Sequence, residues 1–221
     1  MADYSSGPVT VTGMVLACSP SGDSDRRVVI LTKERGKITA FAKGARRQGS
    51  RLLATTEQFC FGNFKLYEGR TAYNLVEASI TNYFEQLRED YDNVCLGMYF
   101  LEFADYYTRE NNDERQMLGL LYQSVKAVCK DTLDNRLVRA VYEIKSIVVN
   151  GEFPGLPADR QLDPSTRYTV DFIVNTPIEK LYTFAVTDNV LSQLCELAEM
   201  YTKRFIDRKF KSIDLLTGTG V

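Results

Sequence analysis

The sequence predicts an α+β protein: a five-stranded β-barrel at the N-terminus, then an α-helical domain. Three observations predict it. Up to residue 80 the apolar residues alternate or run in short β-branched blocks. From Asn82 onward they recur every three or four positions, the period of a helix. The charge changes sign at the same place: residues 1–80 carry 11 cations against 7 acids, and the remaining chain carries 16 against 22.

The strands follow in order. "VTVTGMVLA" is β-branched and follows Pro8, and "RRVVILTK" is an apolar run stopped by "ERGK", a turn whose Gly36 calls for a positive φ. "KITAFAKG" alternates, with Ile38, Ala40 and Ala42 on one face and Lys37, Thr39, Phe41 and Lys43 on the other. "EQFCFGNFKLYEG" and "RTAYNLVEAS" complete the five, joined around Gly69. Five strands with an insert after the third is the layout of an OB-fold, a small Greek-key barrel; an SH3-like barrel shares the strand count.

The helices come next. Phe84, Leu87, Tyr91, Val94, Met98, Leu101 and Asp105 form a mostly apolar stripe in the first. A second starts near Asp113 with Met117, Leu120, Leu121, Ser124, Val125 and Val128 on one face. The third presents Leu133, Leu137, Val141, Ile144 and Val148 and stops at Gly151, an expected left-handed cap. Residues 151–170 hold three of the six prolines and read as irregular chain. "TPIE" reads as a helix start, with Thr176 as N-cap, Pro177 at N1 and Glu179 at N3. A last helix is expected from about Asp188 to Phe210, with Val190, Leu194, Leu197, Tyr201 and Phe205 buried. The expected domains are therefore 1–80 and 81–221, the second with an irregular, metal-free insert around 151–175.

Several functions lose their support at this level. With no histidine, Ser-His-Asp and Cys-His catalysis and HExxH metal sites are out. Neither GxxxxGK[ST] nor GxGxxG occurs. The five cysteines are scattered, none in a CxxC, as expected for small buried hydrophobes in a reducing compartment. No apolar run reaches 18 residues, and "MADYSSGPVTVTG" lacks the basic and apolar regions of a secretory signal, so a cytoplasmic location is expected. No enzymatic activity and no cofactor or metal are expected.

What remains is the stretch "FAKGARRQGSR". Between residues 26 and 51 nine cations face Glu34 alone, a charge asymmetry suited to a polyanion. Single strands are held by cations for phosphates and aromatic faces for bases, and the third strand offers both on one face. The candidate DNA contacts are Arg26, Arg27, Arg35, Lys37, Phe41, Lys43, Arg46, Arg47, Arg51, Lys65, Tyr67 and Arg70. Tyr73 is a further aromatic of uncertain register, and a one-residue slip would send Phe41 into the core. Nothing resembles a groove-reading helix, so binding without base readout is expected. About six phosphate contacts would weaken binding roughly a thousandfold between 50 and 200 mM salt.

These residues carry a resemblance. "LTKERGKITAFAKGARRQGSRL", "FKLYEGRTAYNLVEA", "FEQLREDYDNVCLGMYFLEFAD", "YEIKSIVVNGEFP" and "RKFKSIDLL" resemble, in order, segments of the bacterial RecO recombination mediators. The resemblance implies an OB-fold that binds single- and double-stranded DNA, annealing of complementary strands, and help in loading the RecA recombinase together with RecR. It also implies docking of the tail of single-stranded DNA-binding protein on the helical domain, where Arg136, Arg139 and Tyr142 are the nearest positions, with RecF a further partner and the nucleoid the place of action. Many members carry a four-cysteine zinc module after the Gly-Pro motif; Gly151 to Asn175 holds no cysteine here, so a metal-free loop is expected. Two other readings stand beside this one, an RNA-associated OB-fold protein and an enzyme using carboxylates and Arg on a phosphate ester.

Overall fold

The computed structural model describes residues 7–130 and 132–212. The "IDLL" end of the last quoted motif lies outside the described residues. Five strands, β1 (Val9–Ser21), β2 (Asp25–Thr32), β3 (Gly36–Ala42), β4 (Phe61–Tyr67) and β5 (Tyr73–Asn82), close into a barrel in the order β1-β2-β3-β5-β4, with β1 also paired to β4. All pairings are antiparallel except β3 with β5. That closure, with a short helix α1 (Leu52–Thr55) after the third strand, is the OB-fold arrangement.

Period-two alternation sorts the side chains. On β3 Ile38, Ala40 and Ala42 are buried, while Lys37, Thr39 and Phe41 are not, as the sequence predicts. Val28, Ile30, Phe64, Leu66 and Leu75 fill the interior with them. Tyr73 joins this core and is only 5% exposed, so it offers no outer face. The β2–β3 turn closes at Gly36, whose φ of +65° is the left-handed value that the turn requires.

The helices are α2 (Tyr91–Tyr107), α3 (Arg115–Val128), α4 (Asn135–Val149), α5 (Pro164–Asn175) and α6 (Asp188–Phe205), with 3-10 turns at Glu85–Glu89 and Ile178–Lys180. The chain forms two compact units: residues up to Glu85 with Ala104–Leu118, and Gln86–Phe103 with the chain from Gly119 on. The first thus extends past the expected boundary at residue 80. In it, Lys37 N–H donates to the Arg109 carbonyl at 2.9 Å, Asn111 N–H donates to that of Arg35 at 3.0 Å, and Gly36 bridges Glu110.

The second unit is organised on α4, which is buried without interruption from Ala140 to Ile147, Glu143 and Lys145 included. Asp134 caps its N-terminus, accepting from Arg136 N–H. Its C-terminus is a Schellman end: Gly151 (φ +73°) donates to Val148 and Glu152 to Ile147, both at 3.0 Å.

Several helical expectations need correction. On α2 the buried face runs through Cys95, Leu96, Tyr99, Phe100 and Phe103, while Tyr91 is 64% exposed. The segment is apolar on nearly every side, so its period picks the wrong seam. Residues 151–170 are not irregular throughout. Asp163 caps α5 by accepting from Ser165 N–H, with Pro164 in the first turn. "TPIE" does not start a helix: Thr176 closes α5, and only the short 3-10 turn follows. Pro177 holds Thr176 in an extended conformation, which ends α5, and the buried Lys145 ammonium donates to the Ile173, Val174 and Thr176 carbonyls left at that end. The last helix stops at Phe205, five residues before Phe210. No helix among the described residues is long and apolar enough to cross a membrane.

Candidate nucleic-acid interface

Strand register builds the candidate face. Arg27 on β2 lies opposite Phe41 on β3, Phe41 opposite Asn74 on β5, and Asn74 opposite Tyr67 on β4. The four form one row across the barrel exterior, with Arg27 exposed and the others half-buried. With neighbouring strands about 4.8 Å apart, the two aromatics stand roughly 10 Å from each other. Arg27 Nη2 also donates to Thr39 Oγ1 at 3.3 Å.

The cationic segment after β3 sits at the barrel end of the β1–β2 turn. Gly44 N–H donates to Asp25 Oδ1 at 2.8 Å and Arg46 N–H to the Ser24 carbonyl at 2.9 Å. Arg46 Nη1 reaches the Gly22 and Asp23 carbonyls at 3.3 and 3.4 Å, and Arg47 Nε reaches Ser24 Oγ at 3.2 Å. These bonds fix the backbone of the segment while Lys43, Arg46, Arg47 and Arg51 stay exposed. Arg27, two residues past Asp25 on β2, lies at the same end.

Other candidates go elsewhere. Arg26 faces the opposite way from Arg27 by strand alternation. Its side chain is 13% exposed, paired to Glu57 at 2.9 Å and donating to Thr56 Oγ1 and the Leu53 carbonyl, so it ties α1 to the barrel. Lys37 lies six residue steps, roughly 20 Å, down β3 from the cationic end. Its ammonium binds Asp105 Oδ1 at 3.0 Å and the Asp105 carbonyl. Arg35 is half-buried in the β2–β3 turn at that far end. Lys65 points outward but lies 3.6 Å from Glu77 directly across β4 and β5. Arg70 is exposed in the β4–β5 turn. Asn74 is a member of the face that sequence reasoning missed, and Thr39, placed on that face by alternation, is not among the candidate contacts. Only the parallel β3–β5 register puts Asn74 between two aromatics, and no local pattern announces that register.

In the second unit, a cavity of about 650 Å³ lies between α4 and α6. Arg136, Arg139, Glu143, Leu191 and Cys195 line it, as do Asp188, Glu196 and Glu199. Arg139 Nε and the Tyr99 hydroxyl both donate to Glu143 Oε1, at 2.9 and 2.6 Å, and the guanidinium lies 5.2 Å from the Tyr99 ring centroid. Arg136 is half-exposed and paired with Asp134 at 2.7 Å. Tyr142 is absent from the lining: it is fully buried, donating to the Phe100 carbonyl at 3.0 Å, with its ring 4.2 Å from that of Phe100. Among the described residues no group of three or more Cys, Asp or Glu is placed to hold a metal ion.

The barrel and its exposed basic and aromatic face place the chain in the class of OB-fold proteins joined to a helical region. Comparison with known proteins narrows this. The family described as "Recombination protein O N terminal" matches residues 7–84, and "Recombination protein O C terminal" matches residues 88–156. The chain is 22% identical over 237 residues to the DNA repair protein RecO of Acetivibrio thermocellus, covering 93% of this chain and 94% of that one. It is 32% identical over 148 residues to the RecO of Alkaliphilus metalliredigens, covering 67% and 60%, and 23% identical over 234 residues to that of Clostridium acetobutylicum, covering 92% and 95%. The chain belongs to the RecO family.

Proposed function

We propose that this protein acts in DNA repair by binding rather than by catalysis: it holds single- and double-stranded DNA on the barrel, anneals complementary strands, and with RecR helps load the RecA recombinase. The observation that carries this reading is the row Arg27–Phe41–Asn74–Tyr67 beside the anchored cations Lys43, Arg46, Arg47 and Arg51. Cations neutralise phosphates, the two rings offer stacking surfaces, and the Asn74 amide can meet any base edge, so little sequence preference results. Annealing needs only that two backbones be neutralised and brought together; base pairing supplies the free energy. RecR and RecF are partners in this reading, and the tail of single-stranded DNA-binding protein docks in the α4–α6 cavity. There Leu191 meets its apolar side chains, and its carboxylates share Arg136 and Arg139 with Asp134 and Glu143.

The test is fluorescence-detected annealing of complementary oligonucleotides by the wild type and by Lys43→Glu/Arg46→Glu/Arg47→Glu. The variant is expected to lose most of the acceleration while keeping its circular dichroism. Equal rates from a folded variant would remove the barrel face from the mechanism. A preference for RNA hairpins over single-stranded DNA at equal salt would favour an RNA-associated role instead.

A further inference from the structure

Residues 81–221 are acidic, yet "KRFIDRKFK" at 203–211 holds five cations and one acid. Two of the five belong to α6 itself. Lys203 pairs with Glu199 at 2.6 Å, and Arg204 lies over the Phe205 ring, 5.3 Å from its centroid. Cations in the last turn of a helix complement its dipole. That explanation stops at Phe205, because the dipole's influence fades within a turn, while Arg208, Lys209 and Lys211 lie beyond the helix.

Those three are not on a loose tail. Phe210 is 3% exposed and packs against the rings of Tyr99 and Phe103, both 5.7 Å away. Ser212 donates from its N–H and its hydroxyl to Glu102 Oε2, at 2.9 and 2.7 Å. The stretch is held by the helix end on one side and by Phe210 and Ser212 on the other, with Arg208, Lys209 and Lys211 exposed between and beside these anchors. A pinned basic loop next to an Arg-covered aromatic is the surface chemistry that grips a sugar-phosphate chain.

We propose that the loop formed by Arg204, Arg208, Lys209 and Lys211 is a second nucleic-acid site, on the helical unit, that takes a second strand while the barrel holds the first. This rests on the DNA-binding reading of the barrel. It gives one chain two phosphate-neutralising surfaces, the minimum for bringing two backbones together within a single molecule.

The experiment uses the full chain and two non-complementary 25-mers at low salt, one immobilised and one fluorescent. The variants are Arg208→Glu/Lys209→Glu/Lys211→Glu and the milder triple glutamine, which guards against misfolding. Expected is two strands per wild-type chain at saturation and one per variant chain. Capture of the fluorescent strand should fall at least tenfold in the glutamate variant, with first-strand affinity changed less than threefold. Undiminished second-strand capture by either folded variant overturns the second site and leaves the barrel reading intact. The same holds if capture persists while binding to a polyglutamate peptide is lost, which would assign the loop to an acidic protein. If the wild type binds no strand at all, or if Arg46→Glu/Arg47→Glu leaves first-strand affinity unchanged, the barrel reading fails, and with it this one.

Discussion

Arg26 and Arg27 are adjacent in sequence and opposite in fate: Arg27 projects onto the outer row beside Phe41, and Arg26 turns inward to Glu57, Thr56 and the Leu53 carbonyl. Replacing each by alanine should separate binding from stability. Arg26→Ala is expected to lower stability by about 1–3 kcal/mol, since it removes the ion pair to Glu57 and the two charge-assisted hydrogen bonds that tie α1 to the barrel, and to leave DNA affinity unchanged once folded. Arg27→Ala should keep the melting temperature and reduce the steepness of log K against log salt by about 0.7 for single strands. Urea melts paired with salt titrations of oligonucleotide binding check both.

Phe41 and Tyr67 flank Asn74, and each offers a ring to a base. Phe41→Ala and Tyr67→Ala are each expected to weaken single-strand binding by about 1–3 kcal/mol, with the salt slope preserved. Duplex affinity should change much less, because stacked bases present no face. Fluorescence anisotropy with single- and double-stranded probes distinguishes the two effects.

Gly36 admits no side chain. A Cβ there would lie 2.3 Å from the Arg109 carbonyl oxygen and 2.9 Å from that of Asn112, on a backbone with φ of +65°. Gly36→Ala should cost at least about 2 kcal/mol, read as a lowered urea midpoint. Gly36→Asn, which tolerates the dihedral but not the contact, should recover little of it.

Alkaline pH should unfold the helical unit. Burial, and then the Glu143 carboxylate, hold the Tyr99 hydroxyl well above the usual tyrosine range, and burial does the same for Tyr142. Both stay protonated in the folded state above pH ~10, where the unfolded chain releases those protons. The unfolded state then binds fewer protons, so this stability is whole below pH ~10 and falls by about 1.4 kcal/mol per pH unit for each tyrosine above it. Absorbance at 295 nm should show these two ionising only with unfolding. Tyr142→Phe should remove amplitude from that late phase alone.

Much of the fold was legible because its signals are local. Alternation in "KITAFAKG" assigns the faces of β3, and Gly36 and Gly151 mark their turn and cap through the dihedral each must adopt. α5 was missed although Asp163 and Pro164 spell a helix start, because the prolines before them weighed toward loop. "TPIE" misled because Thr176, extended before Pro177, serves as the end of α5 rather than the start of a new helix, with the distant Lys145 ammonium bonded to its carbonyl. The candidate face was legible in its cations and half-legible in its geometry. Alternation alone separates Arg26 from Arg27, but Lys37 and Lys65 could not be set apart from Arg27 or Arg46, since Asp105 and Glu77 meet them only through the fold. Tyr142 entered as a docking position only through the family resemblance; on α4 it faces Phe100 and the core instead.

The barrel unit borrows Ala104–Leu118 from beyond the first half of α2, and that has a consequence for how the protein is made. A ribosome delivers the N-terminus first, so all five strands emerge before the residues that brace the β2–β3 turn. Until Arg109 and Asn111 leave the exit tunnel, the backbone of that turn lacks its partners and Lys37 has no counter-ion. The nascent chain therefore passes through a window in which its five strands are complete but the β2–β3 turn is unbraced. That window lasts for the time the ribosome takes to bring Gln86 to Leu118 out of the tunnel after the last strand.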